Sequence, residues 1–227
     1  MRNCTDHRRQ DMRAWVKKIV KDNSQLLIFL ALMFIFRSSI ADWNTVPTGS
    51  MKPTILEGDR IFVNKMAYDL RIPFTHVSLL RLSDPSRGDI VIFDSVRSDK
   101  RLVKRIIGIP GDVVAMKNNI LYLNGEPLDY RTVTSTPVTV DQSENLSGVE
   151  HRIRIHKNGS RLSSFMPVKV PADSYLALGD NRDNSADSRV IGFVPREEIV
   201  GRSRSVVMSL NYENFYLPRT DRFFQVL

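Results

Sequence analysis

Leu102-Val103-Lys104-Arg105-Ile106-Ile107, halted by Gly108 and then by Pro110-Gly111-Asp112, decides the fold. Short runs rich in β-branched and aliphatic residues, ended by Gly and Pro turn signals, read as strands. This run also carries two cations. Alternation places Lys104 on one face with Leu102 and Ile106, and Arg105 on the other with Val103 and Ile107. The pattern leaves open which face is inward. Arginine stays protonated in proteins, so Lys104 alone of the two can serve as a base, and only if burial lowers its pKa. The plain alternative is a solvated lysine on an edge strand.

Working outward, Arg60-Ile61-Phe62-Val63-Asn64-Lys65 and Asp89-Ile90-Val91-Ile92-Phe93 repeat the strand signature, each announced by a Gly-Asp turn. Residues 118–128 read as a hairpin turning at Asn124-Gly125. Residues 129–165 are more polar and read as a weakly packed insert with one or two strands around 149–155. Strand character returns at 167–178, 191–194 and 199–210. The expectation is a mainly β chain.

The 227 residues hold 42% hydrophobic and 26% charged residues, which indicates a folded body rather than a disordered chain. The single cysteine, Cys4, allows no intramolecular disulfide and gives no metal site. The net charge is +8, and residues 1–23 carry seven Lys/Arg against three Asp, a net +4 and half the total. That concentration argues against a nucleic-acid surface. It fits the basic flank on the inner side of a membrane segment, because residues 26–36 are uninterruptedly apolar. Residues 24–43 are therefore expected to be one transmembrane anchor, with Arg37 and Trp43 at the interface. The rival reading is a cleaved leader with a small-x-small site at Ser39-Ile40-Ala41. Arg37 between the apolar run and that site favours the anchor. Residues 1–23 then lie inside the cell and 44–227 outside, with the insert at about 113–170.

Just past the apolar run comes Pro47-Thr48-Gly49-Ser50-Met51-Lys52-Pro53-Thr54. Two prolines bracket a serine in a stiff loop able to present a hydroxyl and a backbone N–H. A serine needs a base. None of His7, His76, His151 and His156 has a recognisable Ser–His setting, which leaves lysine. Residues 179–189, Gly-Asp-Asn-Arg-Asp-Asn-Ser-Ala-Asp-Ser-Arg, resemble a calcium loop in composition only. Counted from Asp183, the sixth position is Ser188 rather than Gly and the twelfth is Val194 rather than Glu. A buried polar turn is the better account, with Asp187 pairing Arg189 and Ser185 able to orient an amine. No metal and no cofactor are expected.

Taken together, residues 47–55, 87–93, 104–112 and 179–189 with Gly192-Phe193-Val194-Pro195 resemble the type I signal peptidases, the membrane-anchored serine endopeptidases that remove signal peptides. They occur in the family's order, and the anchor, Arg37 and Ser50 are spaced as in the family. The resemblance implies an antiparallel β catalytic core with a smaller β insert behind one N-terminal transmembrane helix. It implies Ser50 as nucleophile and Lys104 as general base. It implies an oxyanion hole from the Ser50 N–H and the Thr48 hydroxyl, where the family commonly has serine. Ser185 is implied as the lysine-orienting hydroxyl, and Asp187 with Arg189 as a structural ion pair. The implied partners are preprotein signal peptides and the lipid bilayer of the bacterial inner membrane. The substrate is expected to add a strand beside residues 42–46 and 101–104, with Val46, Ile55 and Val103 lining shallow pockets for small side chains. Met51, Pro53, Phe215, Tyr216, Phe223 and Phe224 are expected to contact lipid on hydrophobicity alone.

Three other readings compete. A self-cleaving repressor-type protease also uses Ser and Lys but needs a DNA-binding helix-turn-helix where this chain has its apolar segment. A relative that matures one conjugation or secretion substrate shares the motifs. An anchored β-module that binds exported proteins without cutting them differs in class, and loss of turnover without loss of binding at Ser50 separates it from an enzyme.

Overall fold

The β-branched runs become strands because each pairs with a neighbour that hides one or both of its faces. The structure, a computed structural model, describes residues 12, 15, 17–75 and 77–227. Cys4, His7, His76 and much of the basic flank lie outside the described residues. The main sheet contains β1 (Ala41–Thr45), β2 (Asp59–Asn64), β5 (Ile90–Ser95), β6 (Lys100–Gly108), β14 (Ser174–Leu178), β15 (Val194–Pro195) and the long β16 (Ile199–Asn211), with β17 (Leu217–Pro218) paired to β16. Their order is β1-β2-β16-β5-β6-β14-β15, antiparallel throughout. A second sheet has the order β13-β7-β8-β9, from β7 (Val113–Lys117), β8 (Ile120–Leu123), β9 (Glu126–Pro127) and β13 (Phe165–Lys169). A third joins β10 (Asp129–Ser135), β11 (Thr139–Leu146) and β12 (Val149–His156). A short ribbon pairs β3 (Asp69–Arg71) with β4 (Ser78–Arg81). The chain is mainly antiparallel β.

The hairpin expected within residues 118–128 is present: Asn124-Gly125, with φ of 54° and 93°, turns β8 into β9. Three other local expectations need correction. A second tight turn at Asn118-Asn119, with φ of 51° and 64°, joins β7 to β8, so the strands begin earlier. The insert is well packed rather than loose: Glu144, Leu146 and Ile153 are fully buried on a three-stranded sheet. Its polar strands hid this, because the inward Glu144 is neutralised by a distant arginine. Residues 188–191 form a single helical turn, α2 (Ser188–Ile191), capped by the Asp187 carboxylate, so the strand expected at 191–194 shrinks to β15.

The apolar segment forms α1 (Ser24–Ser39), and residues 17–22 before it are also helical. Its 16 residues span about 24 Å at 1.5 Å per residue. No helix among the described residues is long and apolar enough to cross a membrane. The segment ends before Trp43 because Ala41–Thr45 is drawn into β1, in register with Arg60 to Asn64 of β2. Arg37 remains at the junction, bonded to Asp42 at 2.9 Å and stacked over the Trp43 ring at 4.9 Å.

Candidate active site

Residues 47–54 bridge β1 and β2. Gly49–Met51 form one 3-10 turn, closed by the Lys52 N–H on the Gly49 carbonyl at 3.1 Å. Met51 and Ile55 anchor the loop from below. Both are fully buried in a core cluster with Val46, Ile61, Val63, Ile90, Ile92 and Val206, and Val103 packs against its edge. Apolar burial on both sides of Ser50 thus fixes a polar tip that stays half-exposed. Met51 is core, so its expected contact with lipid is corrected: its side chain fills the space under the loop. Val46 and Ile55 likewise back the cleft from the core, and of the three expected pocket residues Val103 keeps the most surface.

β6 brings Lys104 to this tip. Its Nζ lies 2.7 Å from Ser50 Oγ and donates to the Val103 carbonyl at 2.9 Å. The question of which face of β6 is inward has an unexpected answer, since Lys104 and Arg105 are 2% and 3% exposed. Both faces of the strand are covered, and each cation is treated differently. Arg105 is neutralised by a bidentate pair with Asp180, at 2.9 and 2.7 Å, and by the Gly88 carbonyl. Lys104 has no carboxylate within ion-pair distance among the described residues. Burial therefore dominates and pushes its pKa down to about 8; Asp187 and Asp180 pull the other way and Arg189 adds to the lowering.

The segment 179–189 closes the site. Asp187 pairs with Arg189 through two contacts of 2.8 and 2.6 Å, and accepts from the Gly179 N–H at 2.9 Å. Asp187 is thus paired with Arg189, and among the described residues it forms no ion pair with Lys104. Gly179 is needed for space: a Cβ there would lie 2.2 Å from Ser185 Oγ and 2.5 Å from the Ser50 carbonyl oxygen. Ser185 is thus beside the Ser50 backbone. Its hydroxyl is buried and, among the described residues, has no hydrogen-bond partner, so it makes no bond to Lys104 in this arrangement. Thr48 is exposed, in extended geometry immediately before the turn.

Sequence reasoning missed the groups that hold the serine loop. The Asn181 N–H donates to the Ser50 carbonyl and its Nδ2 to the Gly49 carbonyl, both at 3.0 Å. The Thr54 hydroxyl donates to Asp180 and contacts the Arg152 carbonyl. Residues 180–182 are in turn held by the insert: Arg154 N–H donates to the Asp180 carbonyl and Arg182 N–H to the Arg154 carbonyl, each at 2.8 Å. Beneath them Arg182 pairs with Glu144, both fully buried, and His151 lies 3.1 Å from Glu144. Asp183 accepts from Ser160, Ser163, Asn119 and the His156 N–H. The carboxylates that suggested a cation loop are spent on tying the insert to the core. Nothing local in sequence links Asn181 to Gly49, 132 residues away.

Edges for an extended peptide exist on both sides. β1 is the outermost strand of its sheet, and the pairing of β6 with β14 stops at Arg105, leaving residues 100–104 without a partner on that side among the described residues. Val103 of β6 packs against the cluster that holds Val46, just past β1, so these two edges are near one another.

The arrangement has relatives. Residues 13–208 match the family described as signal peptidase, peptidase S26. The chain is 38% identical over 197 residues to a signal peptidase I of Pseudomonas fluorescens, covering 79% of this chain and 69% of the relative. It is 36% identical to a signal peptidase I of Pseudomonas aeruginosa with the same coverage. It is 34% identical to a signal peptidase I P of Bacillus subtilis subsp. natto, covering 87% of this chain and 89% of that one. With the family match spanning most of the chain and these identities behind it, the chain belongs to the signal peptidase family, peptidase S26, and is an enzyme of its type I branch.

Proposed function

We propose that the chain is a membrane-anchored serine endopeptidase that removes N-terminal signal peptides from exported preproteins through a Ser50–Lys104 dyad. The observation that carries this reading is a buried lysine amine, its pKa lowered to about 8, at 2.7 Å from a serine hydroxyl in a stiff loop. The neutral amine accepts the Ser50 proton as Oγ attacks the scissile carbonyl carbon. The resulting oxyanion is held by the Ser50 N–H and the Thr48 hydroxyl, each donor contributing about 3–4 kcal/mol in comparable sites. As the C–N bond breaks, the Lys104 ammonium returns its proton to the leaving amine of the mature protein. Neutral again, Lys104 takes a proton from water as the water oxygen attacks the ester carbon, and the ammonium returns that proton to Ser50 Oγ as the ester C–O bond breaks. Ser185 completes the pocket around the amine once substrate displaces the resting geometry, and the Asp187–Arg189 pair keeps that wall rigid.

The signal peptide lies extended between the edges of β1 and β6, with small residues at the first and third positions before the cut over the floor made by Val46, Ile55 and Val103. α1 with the helical residues before it is the anchor of the segment 24–43, residues 1–23 are its basic cytoplasmic flank, and 44–227 form the catalytic body on the outer side of the bacterial inner membrane. The positive flank, the exposed apolar helix and the position of Ser50 shortly after it support this topology. A specialised maturation peptidase uses the same residues and differs in substrate range; the binding-module reading loses ground because the amine and hydroxyl are already in contact.

The test is cleavage of a purified precursor carrying an Ala-x-Ala site by the detergent-solubilised wild type, Ser50→Ala and Lys104→Met. Cutting after the second alanine by the wild type, with both variants folded and inactive, is the expected result. Near-wild-type turnover by either variant removes that residue from the mechanism, and a wild type that binds the precursor without cutting it favours the binding module.

A further inference from the structure

The ribbon of β3 and β4 exposes more apolar surface than a β body in water needs. All four residues of β4 are exposed, and around them Phe74 is 71% and Leu79 63% exposed, with Val77, Leu80 and Leu82 also uncovered. Contiguous uncovered apolar patches mark interaction sites. An isolated two-stranded ribbon is marginal in water, so its support matters. Its base is fixed by a buried ion cluster: Arg71 donates to the Ile199 carbonyl at 2.6 Å and pairs with Asp69, which Arg196 also grips at 2.9 Å. Its tip meets the end of α1 instead. The Phe74 N–H donates to Ser38 Oγ at 2.7 Å, and Lys65 Nζ donates to the carbonyls of Arg37 and Ser38. The ribbon's apolar side chains therefore begin where the exposed apolar surface of α1 stops.

We propose that the tip of this ribbon is a second membrane-embedding element, placing Phe74, Val77, Leu79 and Leu80 in the lipid layer beside the exit of α1. The proposal rests on the reading of α1 as the anchor. Both faces of β4 are uncovered, and their apolar surface continues that of α1, so the lipid that takes the helix also reaches the ribbon. One helix alone leaves the body free to swivel about the helix axis. A second contact, braced by the Arg71–Asp69–Arg196 cluster, removes that rotation and sets the orientation of the Ser50 cleft over the membrane.

The experiment uses the full chain with Cys4→Ser, reconstituted in vesicles of phosphatidylethanolamine and phosphatidylglycerol. An environment-sensitive fluorophore is attached at Leu79→Cys or, in a separate sample, at Phe34→Cys on α1. Both labels are expected to shift to the blue, to be quenched by nitroxides on the acyl chains and to be shielded from aqueous iodide. If the Phe34 label meets lipid while the Leu79 label stays open to iodide, the anchor stands and the ribbon proposal falls. If neither label meets lipid, both readings fail. A Leu79 label shielded from iodide yet unquenched by nitroxide lipid means that protein covers the ribbon, and overturns the lipid assignment. In the same vesicles, Phe74→Ser/Leu79→Ser should cut a membrane-inserted precursor several-fold more slowly while cutting a short water-soluble peptide at the wild-type rate; equal loss on both contradicts the proposal.

Discussion

A lysine amine beside a serine hydroxyl does little while it remains charged. At Lys104 the decisive circumstance is what surrounds the pair: Arg105 has Asp180, Arg189 has Asp187, and among the described residues Lys104 has no carboxylate within ion-pair distance. Because its folded-state pKa is lowered from 10.5 to about 8, the unfolded chain binds the proton more tightly between those values. Stability therefore rises with pH across that window and is lowest below it. Lys104→Met removes a cost of at most roughly 3 kcal/mol. The variant should melt above the wild type at pH 7, by calorimetry, with the gap closing towards pH 10.5; a variant that melts lower at pH 7 contradicts the assigned shift. Gly179→Ala pushes a methyl into Ser185 and the Ser50 carbonyl. We expect kcat/KM to fall by about 100-fold or more with the circular dichroism unchanged, since ångström misplacement of reacting groups costs that much. Asn181→Asp keeps the shape and removes the donor to Gly49; a fall of about 10-fold in kcat with KM little changed is expected, because one buried hydrogen bond is lost at the serine loop. Ser50 and Lys104 were legible from residue chemistry and resemblance. Asn181 and Arg105 were not, because their partners are remote in sequence and their roles are set by contact.

At the scale of elements, β2, β5, β6 and most of β16 were readable because two or more β-branched residues sit together in each and a Gly-Asp turn precedes β2 and β5. β10 and β11 were not, since their buried side include Glu144, whose partner Arg182 comes from another element. The strand expected at 191–194 loses Ile191 to α2: Ile191 and Val194 are β-branched and suggest a strand, while the Asp187 cap that starts the helical turn acts over two residues. The insert is therefore an active support for residues 180–182 and, through them, for the serine loop. Arg182→Leu leaves Glu144 buried without its main partner. A loss of about 3–5 kcal/mol in urea unfolding is expected. The Glu144 carboxyl, although burial opposes its charge, is held below the usual range chiefly by Arg182. Its stabilisation is thus present above the unfolded carboxylate pKa and is lost only in strong acid; an Arg182→Leu protein as stable as wild type at neutral pH would falsify the supporting role.

For the whole molecule, charge and apolar character follow one order along the sequence: a basic flank, an exposed apolar helix, then a β body whose uncovered ribbon and whose exposed Phe215, Tyr216 and Phe224 add further apolar surface. The flank and apolar run were legible because they are contiguous. The ribbon was not, since exposure is a property of the folded surface. If the topology is as proposed, the full chain stays in the membrane pellet after alkaline carbonate extraction, and added protease digests the body from the outer side only; release into the carbonate supernatant contradicts it.

The most direct measurement of the central claim is the pH dependence of kcat/KM on a signal-peptide substrate. With neutral Lys104 as the base, kcat/KM climbs as the amine loses its proton, governed by an apparent pKa near 8, and levels off above it. A plateau that extends well below neutral pH would mean that Ser50 is activated by some other group, and the dyad would be wrong.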